Sequence, residues 1–273
     1  MPSQLEIRTI AHHLIDSYDN AVTMPTITSG CPGFDNGAAY NVLAEIAARR
    51  RQQGWTPAGR KIGFTNRSIW PLYGVDAPMW AHMWDRTVHY AVGGRASLSL
   101  RPFVQPRIEP EVVFKLRAPI PDTNDPVAVL SCVEWFAPGF EIVQCHFPDW
   151  QFSLADCTAA FGLHGALVVG TPVLADDTDL VALAATLQTF EVALSCDGSV
   201  VDHGVGANVL GSPALALAHL GRVVANQPKF GPPATGEVVT TGTITDARPI
   251  VPGQTWTSDY GRLGVTRLEL ELT

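Results

Sequence analysis

The first fifty residues repeat their apolar positions with the period of an α-helix. Between residues 3 and 18 apolar side chains recur three or four positions apart, and Ser3 precedes them as an N-cap. After a loop rich in Thr, Pro and Gly, a second helical pattern runs from residue 38 to about 53 and is closed by Gly54. We therefore predict a helical N-terminal region over residues 1–55.

The pattern changes after Gly54 to short apolar runs separated by Gly and Pro, which are typical of β-strands. These runs cover residues 88–92, 96–100, 111–116, 141–143, 166–169, 189–196, 237–241 and 267–272. Two helices are predicted among them, near 125–133 and 213–220, the second opened by Ser212 and followed by Gly221. Because helices and strands do not alternate regularly, we predict an α+β chain in which residues 56–273 form one structural unit.

Composition narrows the possible partners. With 273 residues, of which 46% are hydrophobic, the chain can bury a sizeable core. Its formal net charge is −8 with only 18 Lys and Arg, so the clustered basic patch that nucleic acid requires is not expected. The nearest basic run, Arg49 to Arg51, ends a predicted helix, where we expect it to be solvated and favoured by the helix dipole.

Further features predict a cytoplasmic protein. No run approaches the roughly 18 apolar residues of a membrane span, so no membrane association is expected. The opening residues MPSQLEIRT lack a basic and then apolar signal pattern. The cysteines are odd in number and form no C-x-x-C pair, so we expect small buried thiols and no disulfide framework or zinc knuckle. They are Cys31, Cys132, Cys145, Cys157 and Cys196.

Two glutamates two positions apart lie at the start of a predicted strand. Glu109 and Glu111, in RIEPEVVF, project from one face because side chains alternate along a strand. The apolar run after them belongs in the interior, where neighbouring carboxylates must bind a proton or a cation. Glu141, in GFEIV, needs the same explanation. Three convergent carboxylates suit a hard cation such as Mg²⁺ and leave about three octahedral positions for water and substrate.

Spacing alone leaves a second interpretation of these charges. The two glutamates can instead pair with Arg101 or Arg107 at a sheet edge, where Pro110 is tolerated. The residues by themselves therefore suggest a metal site without deciding for it.

Five segments, in this order along the chain, resemble those of the fumarylacetoacetase superfamily. They are GRKIGFTN (59–66), YGVDAP (73–78), QPRIEPEVVF (105–114), FEIVQCHFPDWQFSLAD (140–156) and TTGTITDARPIVPGQTWTSDYGRLG (240–264). Within the superfamily they are similar to the group of 2-keto-4-pentenoate hydratases and 4-oxalocrotonate decarboxylases. Each segment alone is a weak signal, but together they extend over nearly the whole chain.

The resemblance implies a fold and a cofactor. The expected fold is the fumarylacetoacetase C-terminal-like one, in which a helical N-terminal region packs on a mixed, rolled β-sheet. The expected cofactor is Mg²⁺ or Mn²⁺, held by glutamates that correspond to Glu109, Glu111 and Glu141. It also implies a homo-oligomer.

The resemblance further implies which residues act on the substrate. The lysine of the G-R-K-x-G segment is Lys61, and the late T-G-T turn places substrate contacts at Thr241, Gly242 and Thr243. A cation beside Lys61 would push the lysine towards its neutral form, from which it could move protons. Without the resemblance, Lys61 would be taken for a surface lysine.

The implied substrate is a small 2-oxo acid, which offers its carboxylate and 2-oxygen to a metal ion that stabilises the enolate. The leading hypothesis is a hydratase of a 2-hydroxy-2,4-dienoate or related 2-oxo-enoate from aromatic-ring degradation. The alternatives are a metal-dependent 2-oxo-enedioate decarboxylase, an acylpyruvate hydrolase or a tautomerase. A fold relative without activity stays open because fold does not fix function.

Two departures from the hydratase pattern concern the pocket. Met79 replaces an expected aspartate, and Ala160 and Phe161 replace a polar pair. We expect Met79 and Phe161 to make the substrate pocket more apolar. His82 and His164 are candidate acid–base replacements because histidine titrates near neutrality, although a hydrogen-bonded structural histidine is the more common case for each.

Overall fold

A computed structural model describes residues 2–227 and 229–273, with the side chains of all of these except residues 72 and 73. The described helices are α1 Gln4–Asp19, α2 Ile27–Gly30, α3 Asn36–Gln52, α4 Trp70–Tyr73, α5 Pro126–Leu130, α6 Leu154–Ala159, α7 Leu180–Thr189 and α8 Pro213–Ala225. The described strands are β1 Pro57–Gly63, β2 Met79–Trp84, β3 Val88–Tyr90, β4 Arg95–Leu98, β5 Arg107–Leu116, β6 Val133–Val143, β7 His164–Val169, β8 Val173–Leu174, β9 Glu191–Cys196, β10 Ser199–Val205, β11 Val238–Thr240, β12 Arg248–Pro249, β13 Thr255–Asp259 and β14 Leu268–Leu272.

The strands form two mixed sheets. The larger follows the order β2-β1-β11-β5-β6-β7-β3, with β12 paired to β5 and β8 paired to β6. The smaller follows the order β10-β9-β13-β14-β4. Parallel pairs (β1 with β11, β3 with β7 and β4 with β14) occur among antiparallel ones. The predicted α+β class with a mixed sheet is confirmed.

The N-terminal helices pack against the larger sheet and share its core. Helix α1 begins as predicted, because Ser3 and Glu6 form a reciprocal capping box. Helix α3 begins two residues earlier than predicted, where the Asp35 side chain accepts a hydrogen bond from the Ala38 backbone at 2.8 Å. Apolar residues of both helices join one buried cluster with β2, β5 and β6. None of the described helices has the length and apolar character that crossing a bilayer requires.

Several predicted boundaries were wrong. Strand β6 runs from Val133 to Val143 and is far longer than the predicted residues 141–143. The helix predicted near 125–133 is shorter than expected, because it ends at Leu130 and the strand begins at Val133. Helix α8 continues through Gly221 to Ala225. Gly221 does not end the helix but lies against Ile120, where a larger side chain would be tight. The patterns missed β1, β2, β10, β13 and α7 altogether.

The predicted solvation of the Arg49–Arg51 run was wrong at its middle residue. Arg50 is buried and bound by both carboxylate oxygens of Asp19, at 2.6 and 2.9 Å. Its guanidinium also lies 4.3 Å from the ring centroid of Trp55. Arg50 therefore ties the end of α3 to the end of α1 through a bidentate pair.

Candidate active site

Three glutamates converge on one face of the larger sheet. Strands β5 and β6 are antiparallel, and their register places Glu109 directly opposite Glu141 and Glu111 opposite Gly139. Directly paired residues share a face, and so do residues two apart along one strand. Carboxylate oxygens of the three side chains lie within 4.8 Å of one another. The strand pairing thus brings together all three predicted metal ligands.

Strand β5 is an internal strand, which excludes the sheet-edge interpretation of the glutamates. It pairs with β6 on one side and with β11 and β12 on the other. Pro110 is tolerated there because its position bonds through the carbonyl oxygen, which accepts from the Ile244 backbone at 3.0 Å. Glu111 and Glu141 are fully buried and Glu109 is half-buried, so these side chains point into the protein.

The carboxylates of this cluster fit a divalent cation. Oε1 of Glu111 and Oε2 of Glu141 are buried and have no hydrogen-bond partner within the described chain. Burial and the neighbouring carboxylates raise the pKa of Glu111, and burial raises the pKa of Glu109 to about 7. Unpaired buried oxygens and mutual repulsion are the conditions that a bound cation relieves.

Lys61 lies beside the cluster as the resemblance implies. Its buried ammonium is 3.3 Å from Oε2 of Glu141. Burial by itself would lower the pKa of Lys61, but the three carboxylates, Glu141 first among them, outweigh burial and raise it. The lowered pKa of Lys61 that we predicted from the sequence requires the positive charge of a cation bound at the glutamates.

Glu141 is hydrogen-bonded to a chain of buried polar groups, His164 and then Thr87. Burial would raise its pKa, but Lys61 and His164 outweigh burial and lower it to about 2. Because an ionised carboxylate only accepts, Nδ1 of His164 donates to Oε1 of Glu141, at 2.8 Å. Nε2 of His164 lies 2.9 Å from the Thr87 hydroxyl. His164 thus touches a predicted ligand rather than the pocket, which suits a positioning role.

The open side of the cluster faces a cavity of about 280 Å³. Its polar lining near the glutamates includes Lys61, Thr65, Gly242 and Thr243. The rest of the lining is largely apolar and includes Ile69, Met79, Val143, Trp150, Phe152 and Leu163. Its volume is at the lower end of small-molecule pockets, so it suits a compact substrate.

The late T-G-T turn forms one wall of this cavity through its backbone. The Gly242 N–H donates to Oε2 of Glu111 at 2.6 Å. A side chain at Gly242 would overlap the Thr65 hydroxyl, and its φ of +97° also favours glycine. Thr243 lines the cavity, whereas the Thr241 hydroxyl bonds away from it to the carbonyl of Val112, at 2.9 Å.

Besides Thr241, two predicted site residues lie outside the cavity. His82 faces a different cavity, because it pairs with Arg60 across β1 and β2, on the face opposite Lys61. Burial, then Arg60, lower the pKa of His82 to about 3, so it is neutral at ordinary pH. Phe161 packs with its ring centroid 4.4 Å from that of Tyr18 and is not among the described cavity residues. Met79 does line the cavity, as predicted.

Two further residues of this region were not predicted as part of the pocket, although Arg107 was considered as an ion-pair partner of the glutamates. Arg107 lines the cavity two positions before Glu109, with its guanidinium 4.0 Å from the ring centroid of Trp150. The buried Tyr260 hydroxyl lies 2.8 Å from the Glu111 carbonyl and 3.1 Å from the Gly139 carbonyl, so it supports β5 and β6 at the cluster. The i, i+2 spacing could have indicated Arg107, because it places Arg107 on the same face of the strand as Glu109.

Comparison with protein families identifies the chain. Residues 74–270 match the model described as fumarylacetoacetate (FAA) hydrolase C-terminal, which is well over half of the sequence. The chain belongs to this family. This match confirms the resemblance and the predicted fold. The matched residues include all three glutamates.

Curated members of the family carry two kinds of name. The chain is 30% identical over 251 residues to a 2-hydroxyhexa-2,4-dienoate hydratase from Comamonas testosteroni, covering 90% of this chain and 89% of the relative. It is 27% identical over 256 residues to a 4-oxalocrotonate decarboxylase from Pseudomonas sp. strain CF600, covering 93% of both. The relatives are thus lyases of both types that the sequence suggested.

Solved structures share the fold. A 4-oxalocrotonate decarboxylase from Pseudomonas putida G7, complexed with magnesium and adipate, superposes with a TM-score of 0.90 at 22% identity, covering 100% of this chain and 99% of the other. A fumarylpyruvate hydrolase from Pseudomonas aeruginosa, in complex with Mn²⁺ and pyruvate, has a TM-score of 0.60 at 14% identity, covering 78% and 88%. The helical N-terminal region belongs to the first likeness, which extends over the whole chain.

Proposed function

We propose that the chain is a divalent-metal-dependent lyase that hydrates a 2-hydroxy-2,4-dienoate or a related 2-oxo-enoate. One observation carries the proposal: the carboxylates of three glutamates, two of them fully buried, converge beside a buried lysine, and Glu109, Glu111 and the lysine line a compact cavity. Curated relatives named 2-hydroxyhexa-2,4-dienoate hydratase and 2-keto-4-pentenoate hydratase support the substrate class. Mg²⁺ or Mn²⁺ is the proposed cofactor, with Glu109, Glu111 and Glu141 as its ligands.

The proposed mechanism divides the work between the cation and the chain. A bound cation would neutralise the negative charge that develops on a 2-oxo acid when a proton or carbon substituent leaves. Lys61 lies at the mouth of the glutamate cluster, where Nζ can hold a proton and pass it to the substrate carbon. The apolar walls, including Met79 and Trp150, keep bulk water from that proton.

A second candidate, decarboxylation of a 2-oxo-enedioate, is favoured by Arg107. Arg107 and Glu109 lie on one face of β5, two residues apart, which is about 6.8 Å along a strand. A substrate bound at the glutamates through its 2-oxo acid end can therefore place a far carboxylate near the guanidinium. Departure of CO₂ also needs no activated water, which suits the apolar Met79.

Product analysis separates the two candidates. The Mg²⁺-loaded protein is incubated with 2-hydroxypenta-2,4-dienoate, its C6 methyl homologue and 2-oxohex-3-enedioate. Hydration yields a 4-hydroxy-2-oxo acid, and decarboxylation releases CO₂ from the enedioate alone. A 2,4-dioxo acid is added to the panel for the acylpyruvate hydrolase, which would use water to cleave it into two carboxylic acids. Metal binding with no turnover of any 2-oxo-enoate would contradict the proposed activity and favour the inactive fold relative.

We further propose a cytoplasmic homo-oligomer. All five cysteines are free thiols, which suits a reducing compartment. Closed symmetric assemblies are common among soluble enzymes. Light scattering tests the assembly, since a mass near 29.3 kDa at micromolar concentration would show a monomer.

A further inference from the structure

A second cavity, of about 290 Å³, lies on the opposite face of β1 from the candidate active site. Consecutive residues of a strand point to opposite faces, so Lys61 lines the first cavity and Arg60 the second. The other charged or titratable residues around it are Arg51, His82, Lys229 and Glu237. No step of the proposed reaction uses any of them.

The charge around this cavity is unbalanced. Glu237 is the one carboxylate among the cavity's described lining residues. It is already paired with Arg60, whose Nε donates to Oε2 of Glu237 at 3.1 Å. The Lys229 ammonium donates to the side-chain oxygen of Asn41, which carries no charge. Arg51 is exposed and has no ion pair in the described part of the chain. Two positive charges thus remain in a protein of net charge −8.

Two buried nitrogen atoms at this cavity lack partners. Arg60 uses Nε and Nη2 for Glu237 and for the carbonyls of Gly231 and Pro232, but its buried Nη1 has no hydrogen-bond partner in the described structure. Nε2 of the buried His82 is unpartnered in the same sense. Burial lowers the pKa of His82, and Arg60 and Arg51 lower it further, which reflects the positive potential here.

We propose that this cavity is an anion-binding site for a dianionic phosphoryl group, contacted by Arg60 and enclosed by Arg51 and Lys229. A guanidinium with a spare N–H is suited to phosphate oxygens, and the two uncompensated cations match two negative charges. The volume suits inorganic phosphate or a small phosphorylated molecule. The site is separated from the glutamate cluster by the thickness of the sheet.

Calorimetric titration with inorganic phosphate tests the assignment. The full chain is titrated at constant ionic strength and at a pH where phosphate is mainly dianionic, with and without EDTA. We expect saturable binding at one site per chain that survives chelation, which separates this cavity from the candidate metal site. In parallel, ¹⁵N NMR of the histidine rings should show the His82 signals shifting with phosphate.

Variants on the cavity rim provide the decisive comparison. The double variant Arg51→Gln/Lys229→Gln removes both exposed cations and should weaken phosphate binding at least about tenfold. Arg101→Gln removes an exposed arginine elsewhere and should leave binding unchanged. Binding that does not saturate, that the double variant retains, or that acetate reproduces with equal affinity would overturn the phosphoryl assignment.

Discussion

Strand β1 separates two buried charged regions that differ in how their charges are paired. On the Lys61 face, three carboxylates lie near one ammonium, and Oε1 of Glu111 has no partner in the described chain. On the Arg60 face, the carboxylate of Glu237 is matched by its guanidinium, and the excess is positive. Buried charge costs free energy unless it is compensated, so the carboxylate excess on the Lys61 face indicates a cationic ligand. On the Arg60 face the excess charge is on the exposed Arg51 and Lys229, beside the buried Nη1 of Arg60 that has no partner in the described structure. The first face suits a cation and the second an anion.

The two histidines predicted as acid–base residues illustrate the same difference. His164 lies on the glutamate side and donates to a carboxylate. His82 lies on the Arg60 side among aromatic rings, 5.2 Å from Trp80 and 5.8 Å from Phe230 between centroids. Both are buried, so burial alone does not separate the two histidines. They differ in what their ring nitrogens contact, because Nδ1 of His164 donates to Glu141 whereas Nε2 of His82 has no partner in the described structure.

Removing one glutamate should have the largest effect on the Lys61 face. In Glu111→Gln we expect turnover to fall by about 10³-fold or more, because a neutral amide is a poor ligand for a hard cation. Steady-state assays with saturating Mg²⁺ measure the loss, and EDTA should reproduce it in the wild type. Glu134→Gln, on the exposed side of β6, is the matched control. Full activity after thorough chelation would contradict a metal-dependent reaction.

Lys61→Met should lower turnover by a factor of about 10² to 10⁴, the usual contribution of general acid–base catalysis. Affinity for Mn²⁺ should be retained, because the three carboxylates remain. Parallel measurements of kcat and of Mn²⁺ binding check both expectations, with Lys115→Met as a control for loss of a lysine. Equal rates in the variant and the wild type would remove Lys61 from the mechanism.

How far the site could be predicted depended on the kind of information required. The i, i+2 spacing predicted that Glu109 and Glu111 share a face, and the apolar run around Glu141, together with the family resemblance, predicted that it joins them. The β5–β6 register that places Glu141 opposite Glu109 was not predicted. The face on which His82 lies depends on the pairing of β1 with β2, and neither strand was predicted. Their sequences, PAGRKIG and MWAHMW, have no polar–apolar alternation that marks a half-buried strand.

Backbone geometry accounts for the misplaced Phe161. The departure from the hydratase pattern indicated an apolar substitution in the pocket, but φ is +57° at Phe161 and +59° at the following Gly162. This left-handed turn directs Phe161 towards Tyr18 and leaves Gly162 at the cavity wall. The residue type gives the polarity of a side chain, whereas the direction in which the side chain points depends on backbone dihedral angles that the residue type does not specify.

Loss of the His164 hydrogen bond should weaken cation binding without changing the reaction type. In His164→Leu we expect the Kd for Mn²⁺ to rise about 10- to 100-fold, the usual effect of removing a group that orients a ligand. His164→Asn keeps a donor near Glu141 and should recover part of the affinity. Calorimetric titrations compare them with His203→Asn, an exposed histidine on β10. Unchanged affinity in His164→Leu would refute the positioning role.

The smallest effect per pH unit is expected on the Arg60 face, in the pH dependence of stability. Because the pKa of His82 is lowered from 6.5 to about 3 in the folded chain, the unfolded chain binds a proton first as pH falls. The free energy of unfolding should therefore decrease from pH 6.5 towards 3, by at most about 1.4 kcal/mol per pH unit from this group. Urea unfolding of His82→Asn should show a shallower decline than wild type or His13→Asn. Identical slopes would contradict the neutral burial of His82.

The central claim, that the glutamate face holds one divalent cation, is tested most directly by crystals of the wild-type chain grown with Mn²⁺ and oxalate. We predict one anomalous peak among the Glu109, Glu111 and Glu141 carboxylates, with oxygen distances of about 2.0 to 2.6 Å and oxalate on the cavity side. No peak between these carboxylates at saturating Mn²⁺, or a peak held by other residues, would contradict the account.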